Sequence, residues 1–195
     1  MSADAQAVLA FWFDELGPKQ WWGKDDAVDA AIAERFGALH GRVAAGEGWS
    51  WRSDAQGRLA EVLVLDQFSR HLYRDDARAY AFDGMALVLA QEIVQRGLDH
   101  ELDTLARPFA YMPYMHSESL AIHAVAESLF DQPGLENALD FERRHVAILR
   151  QFGRYPHRNA ALGRESSAIE QAFLCLLYTS PSPRDRTRSR MPSSA

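Results

Sequence analysis

Asp66 is the first residue that breaks its own surroundings. The stretch from Val62 to Phe68 is apolar almost all round, and Asp66 falls on the stripe of Leu59, Val62 and Leu63. A carboxylate carried into a core must be paired or hydrogen-bonded. Arg70, four residues on, lies on the same helical face, and Gln67 and Arg74 extend the polar line towards Tyr73. Two readings follow: a buried pair that fixes helix register, or one wall of a ligand site. Residues 107–119, RPFAYMPYMHSES, gather Arg107, Tyr111, Tyr114, His116, Ser117 and Glu118 around two prolines. Such a stiffened aromatic segment entering a helix can form a pocket rim whose backbone N–H groups suit an anion. Equally, Ser117 can simply cap that helix while Glu118 complements its dipole and His116 sits on the surface. Residues 152–166, FGRYPHRNAALGRES, crowd Arg154, His157, Arg158, Asn159 and Arg164 together. The planar guanidinium fork suits carboxylate or phosphate, and it also serves to satisfy acids and helix carbonyls inside a fold.

Other chemistries lack their residues. Glu142 and His145 make one Glu-x-x-His step, whereas a di-iron bundle needs two and further carboxylates. His116 and His123 have no cysteine to complete a zinc set. There is no Gly-x-Ser-x-Gly elbow, P-loop or dinucleotide fingerprint. A triad of Ser117, His116 and Asp66 can be drawn, but spacing gives it no geometry. No metal and no cofactor are expected.

Helices must position these groups. Ala5–Leu16 carries Val8, Leu9, Phe11, Trp12, Phe13 and Leu16 before a Gly17-Pro18 stop. Asp25 can cap a second helix whose Val28, Ile32, Phe36, Leu39 and Val43 keep helical spacing. A third is expected over residues 53–73 and a fourth over 77–96, ended by Gly97. Arg107–Pro113, with two prolines, is expected to be a loop. Ser117 should then cap a helix to Phe130, and Leu135–Phe152 should end on Gly153 as a left-handed cap. Ser167 and Glu170 have the capping-box spacing for a last helix. No stretch alternates as a half-buried strand would. Residues 1–174 are therefore expected to form one all-α domain of about seven to eight helices in antiparallel pairs, stacked as a superhelix or packed as a compact bundle.

Composition agrees and sets limits. The chain has 195 residues, 47% hydrophobic and 25% charged, ordinary for a soluble globular domain. No apolar run approaches the ~20 residues of a membrane span, and no signal peptide is visible, so the expected location is cytoplasmic with no membrane partner. The net charge of −6 conceals a break at Cys175. Beyond it, Arg184, Arg186, Arg188 and Arg190 stand against Asp185 alone, so the body carries −9 and the end +3. An acidic body repels phosphate backbones, and no nucleic-acid partner is expected for it. Residues 175–195 are expected to be a disordered basic tail. That stretch, CLLYTSPSPRDRTRSRMPSSA, resembles the translated adapter sequence found at the ends of unrelated metagenomic reading frames, which implies a segment foreign to the natural protein.

LDQFSRHLYR (65–74), RPFAYMPYMHSES and FGRYPHRNAALGRES, with VLAFWF and WWGKDDAVDAAIAERF towards the N-terminus, resemble the signatures of the bacterial domain of unknown function 924 family. The resemblance covers residues ~5–174. It implies a tetratricopeptide-like helical fold and no established activity. Family members often have Pro-Arg-Asn where this chain has Ser69-Arg70-His71, and a short native tail where this chain has its arginine-serine segment.

Two functions are expected to compete. The first is a small anionic metabolite bound by Asp66, Arg70, Arg107, Tyr111, His116, Arg154, His157 and Arg158, with His116 or His157 moving a proton near neutral pH. The second is a peptide or protein partner in a concave groove, with Trp21, Trp22, Trp49 and Trp51 either as its anchors or as packing between the first helices.

Overall fold

A helix that is apolar all round belongs in the middle of a domain, and that is where the structure puts it. The structure, a computed structural model, describes the backbone of residues 1–179 and side chains through residue 176. Helix α1 (Ala3–Ala10) widens into a π turn at Phe11–Glu15 and is followed by the short α2 (Pro18–Trp22) and the long α3 (Asp26–Ala44). The central rod comprises α4 (Ala55–Leu63), a second π turn (Val64–Phe68) and α5 (Ser69–Leu72). Next come α6 (Asp83–Gln95), α7 (Arg107–Met115), α8 (Leu120–Phe130), α9 (Glu136–Phe152) and α10 (Ala168–Thr179). Short 3₁₀ turns fill several connections, including Ala77–Tyr80 and Pro156–Arg158. No strand occurs among the described residues, so the fold is all-α.

Helix α4 packs against α1, α6 and α7, and the pile continues from α7 to α8 to α9. Leu59, Val62, Leu63, Val64, Leu65 and Phe68 are each buried to within 1%. Charges on this rod are paired: Arg52 grips Glu61 through two bonds of 2.6 and 2.7 Å, and Arg58 meets Glu92 at 2.8 Å. Gly57 lets the rod approach the preceding turn. A Cβ there would lie 2.0 Å from the Trp51 carbonyl oxygen. Gly57→Ala, normally favourable in a helix, should therefore destabilise by about 1–3 kcal/mol, as overpacking does; urea denaturation measures it.

Several boundaries differ from expectation, each for a physical reason. Arg107–Pro113 is helical, not a loop. Pro108 occupies the first turn, where the missing N–H is harmless, and Pro113 falls near the end at Met115. Burial of Phe109, Tyr111, Met112, Tyr114 and Met115 offsets the one lost backbone bond. Ser117 does not cap α8: the cap position is Ser119, whose N–H donates to Ser117 Oγ at 3.2 Å. Gly153 does close α9 with φ 70°, and Ser167 and Glu170 form their reciprocal box. Helix α10 runs to Thr179, five residues into the segment expected to be disordered; residues 175–179 contain no proline or glycine to stop it. The rest of that segment, 180–195, lies outside the described residues. Trp21 and Trp51 are buried, whereas Trp22 and Trp49 are exposed.

Candidate functional site

Asp66 lies inside the second π turn, a departure from regular helix that recurs at functional sites. Its side chain is fully buried. Arg70 Nη1 lies 3.0 Å from Asp66 Oδ1 and donates to the Asp66 carbonyl at 2.6 Å. His116, the residue that closes α7, sets Nδ1 2.7 Å from the same Oδ1, and Gln67 Nε2 donates to Oδ2. Burial alone would raise the Asp66 pKa, but Arg70 and His116 hold it well below the usual carboxylate range. Asp66 is thus an anion in the core.

An anionic Asp66 fixes the state of its neighbour. Burial, then Arg70, push the His116 pKa below its ordinary 6.5, against the opposing pull of Asp66. A neutral His116 donates Nδ1–H to Asp66, which leaves the Nε2 lone pair exposed. Nε2 makes no hydrogen bond to the described residues, and the side chain is 16% exposed. This is the geometry of an oriented proton acceptor.

His116 faces a cavity of about 290 Å³ that Arg70, Tyr80, His145, His157 and Arg158 also line. Asp83, at the start of α6, bridges the two arginines, 3.0 Å from Arg70 and 3.3 Å from Arg158. The Arg158 guanidinium lies between the Tyr80 and Tyr155 rings, 4.8 and 4.6 Å from their centroids. It is only 6% exposed, its one hydrogen bond is the 3.3 Å contact to Asp83, and its buried Nε has no partner among the described residues. Burial pushes its pKa down, the sign of a cation short of neutralising partners. Arg74, at the rim, is held by two bonds to Asp29.

A clamp sets Arg158 in place. Arg164 grips Glu118 through bonds of 2.7 and 2.9 Å and also donates to the Tyr155 carbonyl. Glu118 accepts from the Tyr155 N–H at 2.8 Å, and Tyr155 Oη donates to the Met115 carbonyl at 2.7 Å. Residues 153–164 are thereby tied to the end of α7. Behind them His123 pairs with fully buried Glu142 and lies 3.1 Å from Tyr155 Oη.

The structure thus brings Asp66, Arg70, His116, His157 and Arg158 together. It does not bring Arg107, Tyr111 or Arg154 to them. Arg107 donates to the carbonyls of Asp99 and Leu102 and to Gln132. Tyr111 is fully buried and donates to Asp99, and Arg154 pairs with Glu170. Tyr80, Asp83 and His145 were not singled out as site residues. Tyr80 and Asp83 belong to a turn and a helix start without any polar anomaly. His145 stood out only as half of a Glu-x-x-His step, which the fold separates: Glu142 turns to His123, and His145 Nδ1 donates to the Phe141 carbonyl at 2.8 Å. Burial chiefly pushes the His145 pKa down to about 4. Its imidazole should titrate near pH 4 rather than 6.5, a shift that histidine ring NMR would report. Among the described residues no group of three or more metal-ligating side chains gathers to hold a metal.

The fold and this cavity define an all-helical protein with an Asp–His pair set against arginines. The chain belongs to the DUF924 family, bacterial proteins of unknown function, whose family model matches residues 8–176. It is similar to the solved structure of a protein of unknown function from Agrobacterium tumefaciens, at 36% identity and a TM-score of 0.82, over 87% of this chain and 96% of that one. A comparison with curated proteins finds no match. No helix among the described residues is long and apolar enough to cross a membrane.

Proposed function

We propose that this protein binds a small anionic ligand, a carboxylate or phosphate, in the cavity beside His116, in the cytoplasm. The observation that carries the reading is Arg158: a guanidinium buried between two tyrosines with a single long hydrogen bond. A buried donor left unsatisfied costs about 1–3 kcal/mol, more when charged, and an anion accepting from it would recover that cost. Net charge is not the attraction, because Asp66 and Asp83 balance Arg70 and Arg158; unfilled donors are. His116 Nε2 would accept a proton from the bound ligand or from a water beside it.

A thermal-shift titration of the full chain with inorganic phosphate, glycerol phosphate, acetate and succinate tests this. At 100 times the dissociation constant, binding adds about 2.7 kcal/mol, which moves the midpoint by roughly 5–10 °C in a chain of this size. No shift with any of these anions overturns the reading. A tetratricopeptide-like peptide groove is the second reading, favoured by Trp49, which is 69% exposed and leaves most of its apolar surface for a partner to cover. A partner held there would bind equally well to an Arg158 variant.

A further inference from the structure

A second cavity, of about 460 Å³, adjoins the first. Its walls are mostly apolar, with Trp21, Phe109, Met112, Met115 and Phe130, and include Thr104 and Asn137. Aromatic packing builds it, with Trp21 edge-on to Phe109 at 5.2 Å and anchored through Nε1 to the Trp12 carbonyl at 2.8 Å. Two residues belong to both cavities, His116 and His145. The polar space and the apolar space therefore border each other at these two imidazoles.

Resting on the anion reading above, we propose that the ligand is an amphiphile: a carboxylate or phosphate head at Arg158 and Arg70, joined to an alkyl or acyl chain that passes between His116 and His145 into the apolar cavity. Three observations support it. A space lined mostly by apolar side chains offers water few hydrogen-bond partners and favours hydrocarbon. Burial pushes the pKa of both imidazoles down, which favours their neutral forms beside a hydrocarbon chain. The lining includes Met112 and Met115, next to His116 on the last turn of α7, whose flexible side chains adapt to the shape of a chain. The apolar cavity, of about 460 Å³, already falls within the ~300–1,000 Å³ usual for an organic ligand, and the polar one, of about 290 Å³, adds room for a head group.

The test is a length series on the full chain, run below micelle-forming concentrations: acetate, butanoate, hexanoate, octanoate and decanoate, with octyl phosphate in parallel to identify the head. Affinity should tighten up to roughly fourfold for each methylene that is buried. A decanoate brominated near its methyl end should quench fluorescence from Trp21 and Trp22, which line the chain's cavity, whereas unbrominated decanoate should not. Ala138→Phe, which plugs that cavity from α9, should flatten the series and leave acetate or phosphate binding intact. If that variant does not fold, the quenching experiment on the unaltered protein decides alone. Equal affinity from acetate to decanoate, with Arg158-dependent binding throughout, overturns the amphiphile and leaves the small-anion reading standing. Decanol binding as well as decanoate, unchanged in Arg158→Met, overturns it too and marks an independent apolar site. No binding at any length overturns both.

Discussion

Asp66→Asn is expected to destabilise the protein by about 3 kcal/mol or more, since breaking a buried ion pair from one side costs roughly 3–5 kcal/mol. Arg70 would keep Asp83 and the carbonyl of residue 66, which places the loss near the lower end. Against a typical total of about 5–15 kcal/mol, such a loss is easily seen in urea. The pH dependence separates charge from shape. The folded protein holds the Asp66 pKa below its ordinary 3.8, so its contribution is complete above that value and is lost as pH falls through the folded pKa. The gap between wild type and Asp66→Asn should therefore be constant near neutrality and close below about pH 4. A gap that stays constant into acid would mean Asn fails by packing, and that Asp66 is not the core anion described above.

How much of this was legible depended on whether the signal was local. Helix α3, the Gly153 stop and the Ser167–Glu170 box came from side chains within a turn of each other, and all stand in the structure. Asp66 and Arg70 announced themselves because a charge on an apolar stripe is a local contradiction. Arg107, Tyr111 and Arg154 carried the same kind of signal, yet they satisfy carbonyls, Asp99 and Glu170 far from the cavity. Residue type says that a guanidinium needs partners; only the fold says whether those partners are internal. Tyr80, Asp83 and His145 gave no contradiction at all, because each is ordinary in its own segment and meets Arg158 only through tertiary packing. The proline segment misled for an opposite reason: local helix cost was visible, whereas the burial that outweighs it was not. Ser69 and His71, where the resemblance to the family implies proline and asparagine, bond His40 and Asp29 on α3. They alter the back of the rod and leave Asp66 its partners.

Arg158→Met is expected to separate stability from binding. Methionine keeps much of the arginine stem's volume and can still pack between Tyr80 and Tyr155. What it removes is a desolvated charge with one long bond and an unpartnered Nε. Replacing buried ions by apolar groups is often neutral or stabilising by about 1–4 kcal/mol. Asp83 would keep Arg70 at 3.0 Å, so the substitution orphans no other buried charge. The variant should therefore unfold at the wild-type urea midpoint or above it. Ligand binding should move the other way. Losing one member of a buried charge pair with an anion costs at least about 2 kcal/mol, roughly a 30-fold loss of affinity. At 100 times the wild-type dissociation constant, the stabilisation by the best-binding anion should then fall from about 2.7 to about 0.9 kcal/mol or less, so that at most about a third of the thermal shift remains. A protein made more robust by losing a buried arginine has held that arginine strained for use, as binding sites do at the expense of stability. Clear destabilisation by Arg158→Met, with anion binding unaltered, would instead make Arg158 a structural brace between α6 and the 156–158 turn.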